Sequence, residues 1–151
     1  MYTLFCDGSS SWKKADGGWA FILFKNDDFI TSISDYEETT TNNREELRSC
    51  IEGLMRVPEG EIVFIYSDSK YLVNSYNNCW IDSWIRNDWK SYRSGEPIKN
   101  QDLWIRLYKL TEERIVNFRW IKGHSDHPMN DLCDERAGYS RKNKIRKTYN
   151  E

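Results

Sequence analysis

Cysteine is sparse in this 151-residue sequence and is not arranged for metal binding or cross-linking. The four cysteines stand at positions 6, 50, 79 and 133, and no two of them form a Cys-x-x-Cys pair. Structural zinc sites use such close pairs, and small secreted domains use a denser framework of disulfides. The pattern argues against both classes, and we expect free thiols that are buried or half-buried.

Long hydrophobic runs are also missing. The longest apolar stretches, such as residues 19–24, are far shorter than the roughly 20 residues that a membrane-spanning helix needs. Residues 1–7 lack the basic region and the long apolar segment of a signal peptide. We therefore expect a cytoplasmic protein and, because no long exposed apolar stripe is evident, a monomer.

The sequence has no surplus of positive charge, since 22 basic and 24 acidic residues give a formal net charge of −2. Nucleic-acid-binding domains usually carry a basic surplus, so the overall charge alone does not predict one. The charges are segregated, however, because residues 136–147 contain six basic side chains. Aromatic residues reach 15% of the chain, and flat rings serve both in cores and as platforms for bases and sugars.

Hydrophobic periodicity predicts an α/β fold. Three strands joined by short turns precede a helix, a strand, three helices, a strand and a final helix, which indicates a mixed sheet with helices packed on it. The length fits one domain, residues 1–151. The predicted strands are residues 2–6, 19–25, 29–36, 61–66 and 115–121. The first predicted helix ends at Arg56. The other four span residues 70–77, 80–85, 99–113 and 130–142.

Four carboxylates stand at the ends of predicted strands or one turn into predicted helices. Asp7 and Asp68 each follow a hydrophobic strand, whereas Glu46 and Asp134 lie near the start of a helix. Any one of them alone is usually a turn residue, a cap or a partner of the helix dipole. Together they would repel one another unless a hard cation such as Mg²⁺ or Mn²⁺ were present. Two such ions suit phosphodiester hydrolysis, but the residues alone leave open whether the four side chains meet.

Five short motifs resemble those of the cellular, bacterial-type ribonuclease H family (type 1). They occur in order, at family-like spacing, and span almost the entire chain. The motifs are Asp7-Gly8-Ser9, Thr41-Asn42-Asn43-Arg44-Glu45-Glu46-Leu47, Tyr66-Ser67-Asp68-Ser69-Lys70-Tyr71, Trp120-Ile121-Lys122-Gly123-His124 and Asn130-Asp131-Leu132-Cys133-Asp134.

The resemblance implies both a fold and an activity. The fold would be the ribonuclease H-like one: a five-stranded mixed sheet, three antiparallel strands then parallel strands, flanked by helices. The activity would be endonucleolytic hydrolysis of the RNA strand of RNA–DNA hybrids, assisted by two Mg²⁺ ions, with Mn²⁺ as a substitute. The products would carry 5′-phosphate and 3′-hydroxyl ends.

The resemblance also assigns the catalytic residues. It makes Asp7, Glu46, Asp68 and Asp134 the metal-binding carboxylates and places His124 on a loop that assists proton transfer or product release. An imidazole titrates in the range that this role requires. The register of the motifs selects Glu46 over the adjacent Glu45, and Asp134 over Asp131. The other histidine, His127, is expected to be a loop residue.

Substrate contacts follow from the same resemblance. A hybrid-specific enzyme must sense the 2′-hydroxyls of one strand, and Asn42 and Asn43 match residues that touch minor-groove edges and riboses. Thr41 and Asn100 match a pocket for a DNA phosphate. Trp80 and Trp84 match an aromatic channel for the DNA strand, although core packing is the alternative for both, and Trp104 and Trp120 are expected in the core.

Several positions depart from the family pattern. The usual Gly/Pro-rich loop is replaced by residues 10–16, and Lys13, Thr39 and Lys70 stand where the family often has asparagine, a basic residue and glutamine. The basic protrusion, residues 80–99, is diluted by acidic residues. Weaker or more salt-sensitive hybrid binding would follow, with Lys13-Lys14 or the basic residues of 136–147 as compensation. The alternative for the latter is a solvated helix end.

Two rival interpretations remain at this point. One is a binding module that keeps the fold and has lost catalysis, against which the full carboxylate set and His124 speak. The other is a different nuclease of the same broad fold, such as a junction resolvase or a transposase core. The Thr-Asn-Asn-Arg string and the tryptophan-rich segment favour the ribonuclease H interpretation over both.

Overall fold

A computed structural model describes residues 1–123 and 127–150 of the chain. None of its helices combines the length and the apolar character needed to cross a bilayer. The strands are β1 Tyr2–Ser10, β2 Gly17–Lys25, β3 Asp28–Glu37, β4 Ile62–Ser67, β5 Ile115–Trp120 and β6 Lys147–Tyr149. The helices are α1 Asn42–Leu54, α2 Lys70–Asn77, α3 Trp80–Arg86, α4 Gln101–Glu112 and α5 Pro128–Asn143.

The strands form one mixed sheet in the order β5-β4-β1-β2-β3-β6, and helices pack on it. The hairpins β1–β2 and β2–β3 are antiparallel, whereas β4 pairs parallel with β1 and β5 pairs parallel with β4. The prediction of an α/β fold with three antiparallel strands followed by parallel ones is confirmed. Parallel strands need long crossovers, and α1 and α2–α4 supply them.

A sixth strand was not predicted. β6 pairs antiparallel with the outer edge of β3 and places Tyr149 opposite Ser32. The Ser34 hydroxyl lies 2.6 Å from that of Ser140 and 3.0 Å from that of Tyr149, which ties the end of the chain to α5 and the sheet. Three residues are too few to show period-two alternation, so the basic segment carries no strand signal in the sequence.

β1 is longer than predicted, and this changes the position of Asp7. The prediction ended this strand at residue 6, but antiparallel pairing with β2 continues to Ser10, opposite Gly17. Parallel pairing with β4 stops earlier, at Phe5. Asp7 therefore lies inside a strand, at the point where one of its two neighbouring strands ends.

Side-chain caps begin two of the helices that follow the sheet. The Thr41 hydroxyl accepts a hydrogen bond from the Arg44 amide at the start of α1, and the Ser69 hydroxyl accepts one from the Leu72 amide at the start of α2. Such caps satisfy amides that have no carbonyl partner within the helix. The cap-rich sequence ahead of α1 therefore fixes where that helix begins, directly beside β1.

Two apolar clusters hold the helices on the sheet. The larger one joins the sheet to α1, α2 and α4 and includes the fully buried Trp19 and Trp104, so the prediction of Trp104 as a core residue is confirmed. The smaller one lies under α5 and includes Phe5 and Ala137. All four cysteines are free thiols, but Cys79 is exposed, contrary to the expectation that all are at least half-buried.

Two helical glycines give a matched test of core packing. Gly53 in α1 faces the fully buried Leu4, and a methyl group there would come within 2.9 Å of Leu4 Cδ2. Gly138 in α5 faces open space. We expect Gly53→Ala to destabilise the fold by about 1–3 kcal/mol through overpacking. Gly138→Ala should instead stabilise it by roughly 0.5–1 kcal/mol, because alanine is the better helix former.

Urea denaturation followed by circular dichroism measures both effects. A Gly53→Ala variant as stable as the wild type would contradict the packing assigned to Gly53, and a destabilised Gly138→Ala would contradict the open surroundings of Gly138.

Candidate metal centre

Three acidic side chains converge at one edge of the sheet. Asp7 comes from β1, Glu46 from α1 and Asp68 from the residue after β4, and one carboxylate oxygen of each lies within 4.8 Å of the others. Asp134 from α5 lines the same open cavity, of about 480 Å³. The structure therefore places all four predicted carboxylates around one cavity, with three of them in a tight group.

The parallel register of β1 and β4 brings Asp7 and Asp68 together. Phe5 and Tyr66 form the last registered pair, and each aspartate follows its member of that pair by two residues. Adjacent strands lie about 4.8 Å apart, so side chains at matching positions beyond the last pair are close neighbours. The two carboxylates are thus placed by backbone pairing.

Gly8 allows α1 to approach β1 closely. A Cβ atom at this position would lie 2.5 Å from the Glu46 amide nitrogen and 2.6 Å from the Glu45 carbonyl carbon. These are backbone atoms, so neither could move without displacing the first turns of α1. The absence of a side chain at Gly8 therefore permits the contact that carries Glu46 to Asp7.

Burial and mutual repulsion perturb the titration of Asp7 and Glu46. The pKa of Asp7 is raised to about 8, first by burial and then by the charge of Asp68. Burial, followed by the charge of Asp7, raises the pKa of Glu46 well above its ordinary value. The Gly8 amide donates to Asp7 Oδ1 at 2.9 Å and favours the charged form, but it does not outweigh these effects.

A hard divalent cation fits this donor set. Among the described residues, the buried Glu46 Oε2 has no hydrogen-bond partner, and an unpartnered buried oxygen is rare in a folded protein. The converging ligands are all carboxylate oxygens, which Mg²⁺ and Mn²⁺ prefer. A bound cation would relieve the repulsion that raises the pKa values of Asp7 and Glu46.

The neighbouring acids face other surroundings. Glu45 is buried in the first turn of α1 and accepts a hydrogen bond from the Thr40 hydroxyl at 2.8 Å, and its pKa is raised to about 8 by burial and then by the charge of Glu37. Asp131 is exposed in the first turn of α5. The geometry thus separates Glu46 and Asp134, at the cavity, from the acids beside them in the sequence.

Trp120 was expected in the core, and that prediction is wrong. It closes the edge strand β5, where it is 45% exposed, and its indole N–H donates to the Asp68 carbonyl at 3.0 Å. The Lys70 ammonium lies 5.0 Å from the centre of its ring. An edge strand buries fewer side chains than a central one, and the sequence does not show that β5 is at the edge.

Gly123 also faces Asp68. A Cβ atom on Gly123 would lie 2.6 Å from Asp68 Oδ2, so the chain after β5 closes directly on this carboxylate. The sequence offered only one signal for these contacts, the motif that contains both Trp120 and Gly123. The predicted loop histidine, His124, lies outside the described residues. His127 precedes α5, as expected for a loop residue, and its ring lies 5.5 Å from that of Phe5.

The four polar residues predicted to contact substrate fall into two groups, and one of the groups lines the cavity. Asn42 and Asn43, at the start of α1, line it together with the carboxylates. Thr41 and Asn100 are linked through Arg44, whose amide donates to the Thr41 hydroxyl and whose guanidinium donates to Asn100 Oδ1 at 3.3 Å. The first group therefore borders the metal centre, and the second forms a unit of its own.

Two side chains that were not predicted hold Asn100 in place. The Arg44 guanidinium makes a two-pronged ion pair with Asp102, with distances of 3.0 and 2.8 Å, and Asn100 Nδ2 donates to the Tyr71 hydroxyl at 3.1 Å. Asn100 has a left-handed backbone conformation, with φ of 63°. The sequence shows that Arg44 and Asp102 carry opposite charges, but it does not show that they pair across 58 positions.

The structure distinguishes the two predicted channel tryptophans. Trp80 is 40% exposed at the start of α3. Trp84 is half-buried, and the centre of its ring lies 5.1 Å from that of the core residue Trp104. Trp80 therefore offers a surface for a ligand, whereas Trp84 serves largely to pack α3 onto the core.

Comparison with known proteins places this geometry in a family. The RNase H family model matches residues 1–141. The chain belongs to the ribonuclease H family. Curated ribonucleases H from Chlorobium luteolum and from Caldanaerobacter subterraneus subsp. tengcongensis are each 42% identical to it over 135 residues. These alignments cover 89% of this chain and 91% and 86% of the two relatives, so the predicted resemblance to ribonuclease H is confirmed.

Solved ribonuclease H structures share the fold. LC9-RNase H1, described as a type 1 RNase H with the type 2 active-site motif, superposes with a TM-score of 0.82 at 23% identity, covering 96% of this chain and 74% of that one. LC11-RNase H1, solved in complex with an RNA/DNA hybrid, gives a TM-score of 0.71 at 17% identity. That match covers 95% of this chain and 98% of the other.

Three departures from the ribonuclease H pattern now have positions. Lys70 lies over the exposed face of Trp120, beside the metal cavity. The Lys13 ammonium lies 5.7 Å from the ring centre of Trp12, and both side chains are exposed between β1 and β2. Thr39 is exposed ahead of α1. Only Lys70 among the three borders the cavity of the carboxylates.

The raised pKa of Asp7 predicts how pH affects the metal-free protein. Because this pKa is about 8 in the folded state and ordinarily 3.8, ionisation of Asp7 opposes folding, and the free energy of unfolding falls as pH rises through that interval. Asp7→Asn removes the charge. We expect it to raise the Tm by roughly 3 °C or more at about pH 8, since about 1 kcal/mol shifts the Tm of a domain this size by about 2–4 °C.

Thermal melts in a chelating buffer at about pH 5 and about pH 8 test this expectation. Asp131→Asn, the same change at an exposed site, is the control. If the Tm falls by the same amount between the two pH values in the wild type and in Asp7→Asn, ionisation of Asp7 does not oppose folding and the prediction is contradicted.

Proposed function

We propose that the chain hydrolyses the RNA strand of RNA–DNA hybrids, with two Mg²⁺ ions at the carboxylate cluster and Mn²⁺ as a substitute. The observation that carries the proposal is the approach of Asp7, Glu46 and Asp68 within 4.8 Å, in a chain of the ribonuclease H family. The products would carry 5′-phosphate and 3′-hydroxyl ends. A solved relative, LC11-RNase H1, is in complex with an RNA/DNA hybrid.

The side chains would divide the work of catalysis. Bound divalent ions supply charge stabilisation to the phosphodiester and lower the pKa of attacking water. Asp7, Glu46, Asp68 and Asp134 would hold the ions through carboxylate oxygens. Trp120 would fix the Asp68 backbone through its hydrogen bond to the Asp68 carbonyl, and Gly123, which has no side chain, would leave room for the Asp68 carboxylate. His124, as the family resemblance implies, would assist proton transfer or product release.

Hybrid recognition would use the polar start of α1 and the Arg44-linked pocket. Asn42 and Asn43 line the metal cavity, where their amides can donate to and accept from ribose hydroxyls and base edges. Thr41 and Asn100 would grip a DNA phosphate, and Arg44, ion-paired with Asp102, would hold Asn100 in place. Trp80 would pack on a deoxyribose.

We further infer that residues 1–151 act as one domain, as a monomer, in the cytoplasm. One continuous sheet runs from β5 to β6 and supports the first part of this proposal. The family model spans residues 1–141 and supports it too.

Removal of a metal-binding carboxylate should abolish cleavage. We expect Asp68→Asn and Asp134→Asn to lower kcat on a labelled RNA–DNA hybrid by about 10²-fold or more in Mg²⁺, because transition-state charge loses its stabilisation. Asp131→Asn, one helical turn before Asp134 and exposed, should retain wild-type kcat. Gel analysis of hybrid, duplex RNA and duplex DNA, with and without Mg²⁺, measures both rate and specificity.

The same assay separates the rival functions. Cleavage of duplex DNA with the hybrid untouched would indicate another kind of nuclease. Failure to cleave any substrate, together with no calorimetric signal for Mg²⁺ or Mn²⁺, would indicate a binding module. Full activity in Asp68→Asn would contradict the metal assignment.

The two tryptophans of α3 should respond differently to truncation. Trp80→Ala removes an exposed ring and should raise KM several-fold with little change in Tm, since the ring would bury apolar surface against the sugar and belongs to neither apolar cluster of the described residues. Trp84→Ala removes a ring packed on Trp104 and should lower the Tm by several degrees. Steady-state kinetics and thermal melts on both variants give the comparison, and a raised KM for Trp84→Ala alone would reverse it.

A further inference from the structure

A second cavity, of about 540 Å³, lies between the β1–β2 connection and the C-terminal end of α5. Four basic side chains line it, and we call it the α5 cationic pocket. Its charged lining consists of Lys14, Arg141, Lys142 and Lys144 with the acids Asp16 and Glu38, which gives the pocket a net charge of +2 in a chain whose own net charge is −2.

Arg141 is fixed, and the three lysines are not. The Arg141 guanidinium lies 3.8 Å from Asp16 and donates to the Ser9 hydroxyl at 3.2 Å. Lys14, Lys142 and Lys144 form no ion pair with any acid in residues 1–123 and 127–150. Three unpaired ammonium groups therefore face the pocket, where Glu38 is the remaining acid.

The helix dipole accounts for only part of this arrangement. Basic residues in the last turn of a helix stabilise it, and Arg141 and Lys142 belong to that turn of α5. Lys14 comes from a different part of the chain, and Lys144 lies beyond the last turn in a left-handed conformation with φ of 50°. Cations that converge from separate elements repel one another, and a bound anion would remove that repulsion.

The pocket is continuous with the metal centre. Ser9 and Asp134 line both the metal cavity and an adjoining depression, and Arg141 and Lys142 line both that depression and the α5 cationic pocket. Asp134 and Lys142 are separated by eight residues of one helix, or about 12 Å. Gly138 lies between them without a side chain and leaves the floor of this path open.

The segment of residues 80–99 carries only a small surplus of positive charge. In the segment of residues 80–99, the acids Asp82, Asp88 and Glu96 offset Arg86, Lys90, Arg93 and Lys99. The Lys90 ammonium lies 3.9 Å from Asp88, which reduces its attraction for a phosphate. Phosphate contacts supply most sequence-independent affinity, and a second basic surface would add such contacts where this segment offers few.

We propose that the α5 cationic pocket binds the phosphodiester backbone of the RNA strand, about three to four base steps beyond the scissile phosphate. The spacing follows from the 12 Å path, at about 3.4 Å per step along the duplex axis. The RNA strand is the occupant because the path begins at the carboxylates that act on that strand. The inference rests on the proposed function and adds the substrate contact that positions a flank of the hybrid.

The double variant Lys142→Glu/Lys144→Glu tests this contact without touching the carboxylates. We expect KM for a long hybrid to rise about 10-fold in moderate salt with kcat within about twofold, because charge reversal removes attraction and not chemistry. The slope of log KM against log salt should fall by about one to two units.

A matched control is Lys25→Glu/Lys109→Glu, which reverses two exposed lysines elsewhere. Lys25 ends β2 at the opposite end from Gly17, about 27 Å away from the pocket side. An equal rise in KM in this control would show that net charge, and not the pocket, decides affinity, and would overturn the inference.

Trimmed substrates identify the strand. Hybrids can be shortened to end within about two base steps of the cut, first on one side and then on the other. The rise in KM caused by the double variant should vanish for trimming on one of these sides and persist for trimming on the other. On the side where the rise vanishes, an RNA overhang should retain the effect and a DNA overhang should lose it. The reverse result, or an effect that persists whichever side is trimmed, would overturn the assignment.

The two proposals fail in different ways. A wild-type protein that leaves every hybrid uncut contradicts the proposed function, and the subsite with it. A wild-type protein that cuts hybrids, beside a double variant with unchanged KM and salt slope, contradicts only the α5 cationic pocket.

Discussion

The parallel pairing of β1 with β4 is the interaction on which the metal centre depends. It registers Phe5 with Tyr66 and then stops, and Asp7 and Asp68 follow at equal distances beyond that pair. The close approach of α1 to Gly8 brings Glu46 from the helix to the same two aspartates. Backbone pairing and a missing side chain thus determine the approach of three carboxylates within 4.8 Å, and the side chains themselves would oppose it.

The opposition between packing and electrostatics explains why this site suits a cation. Burial raises the pKa values of Asp7 and Glu46, so the apolar core that stabilises the sheet also destabilises the charged site. Proteins tolerate such strain where function requires it, and the rest of the fold offsets it. Here the large apolar cluster beneath α1 and α4 and the smaller one beneath α5 hold the strands and helices that present the carboxylates.

The acidic and basic side chains of this protein, whose net charge is −2, are concentrated in different cavities. The carboxylate cluster lies in one cavity, and unpaired lysines gather around the neighbouring pocket at the end of α5. The sixth strand contributes to this arrangement, because β6 ties the end of the chain to β3 and so holds the basic residues after α5 near the sheet. The basic residues after α5, for which a solvated helix end was the alternative, are therefore held against the folded surface.

The sequence by itself determined the order of the elements from β1 to α5, the cap-rich stretch that precedes α1, and the motifs that place the chain in the ribonuclease H family. These features are local, because periodicity, capping and motif spacing act over a few residues. Only the tertiary structure decided that β1 continues past Asp7, that β6 adds to the sheet and that Trp120 lies exposed beside Asp68. Each of these depends on which strand lies at an edge and which residues pair across long stretches of chain, and no local pattern carries that information.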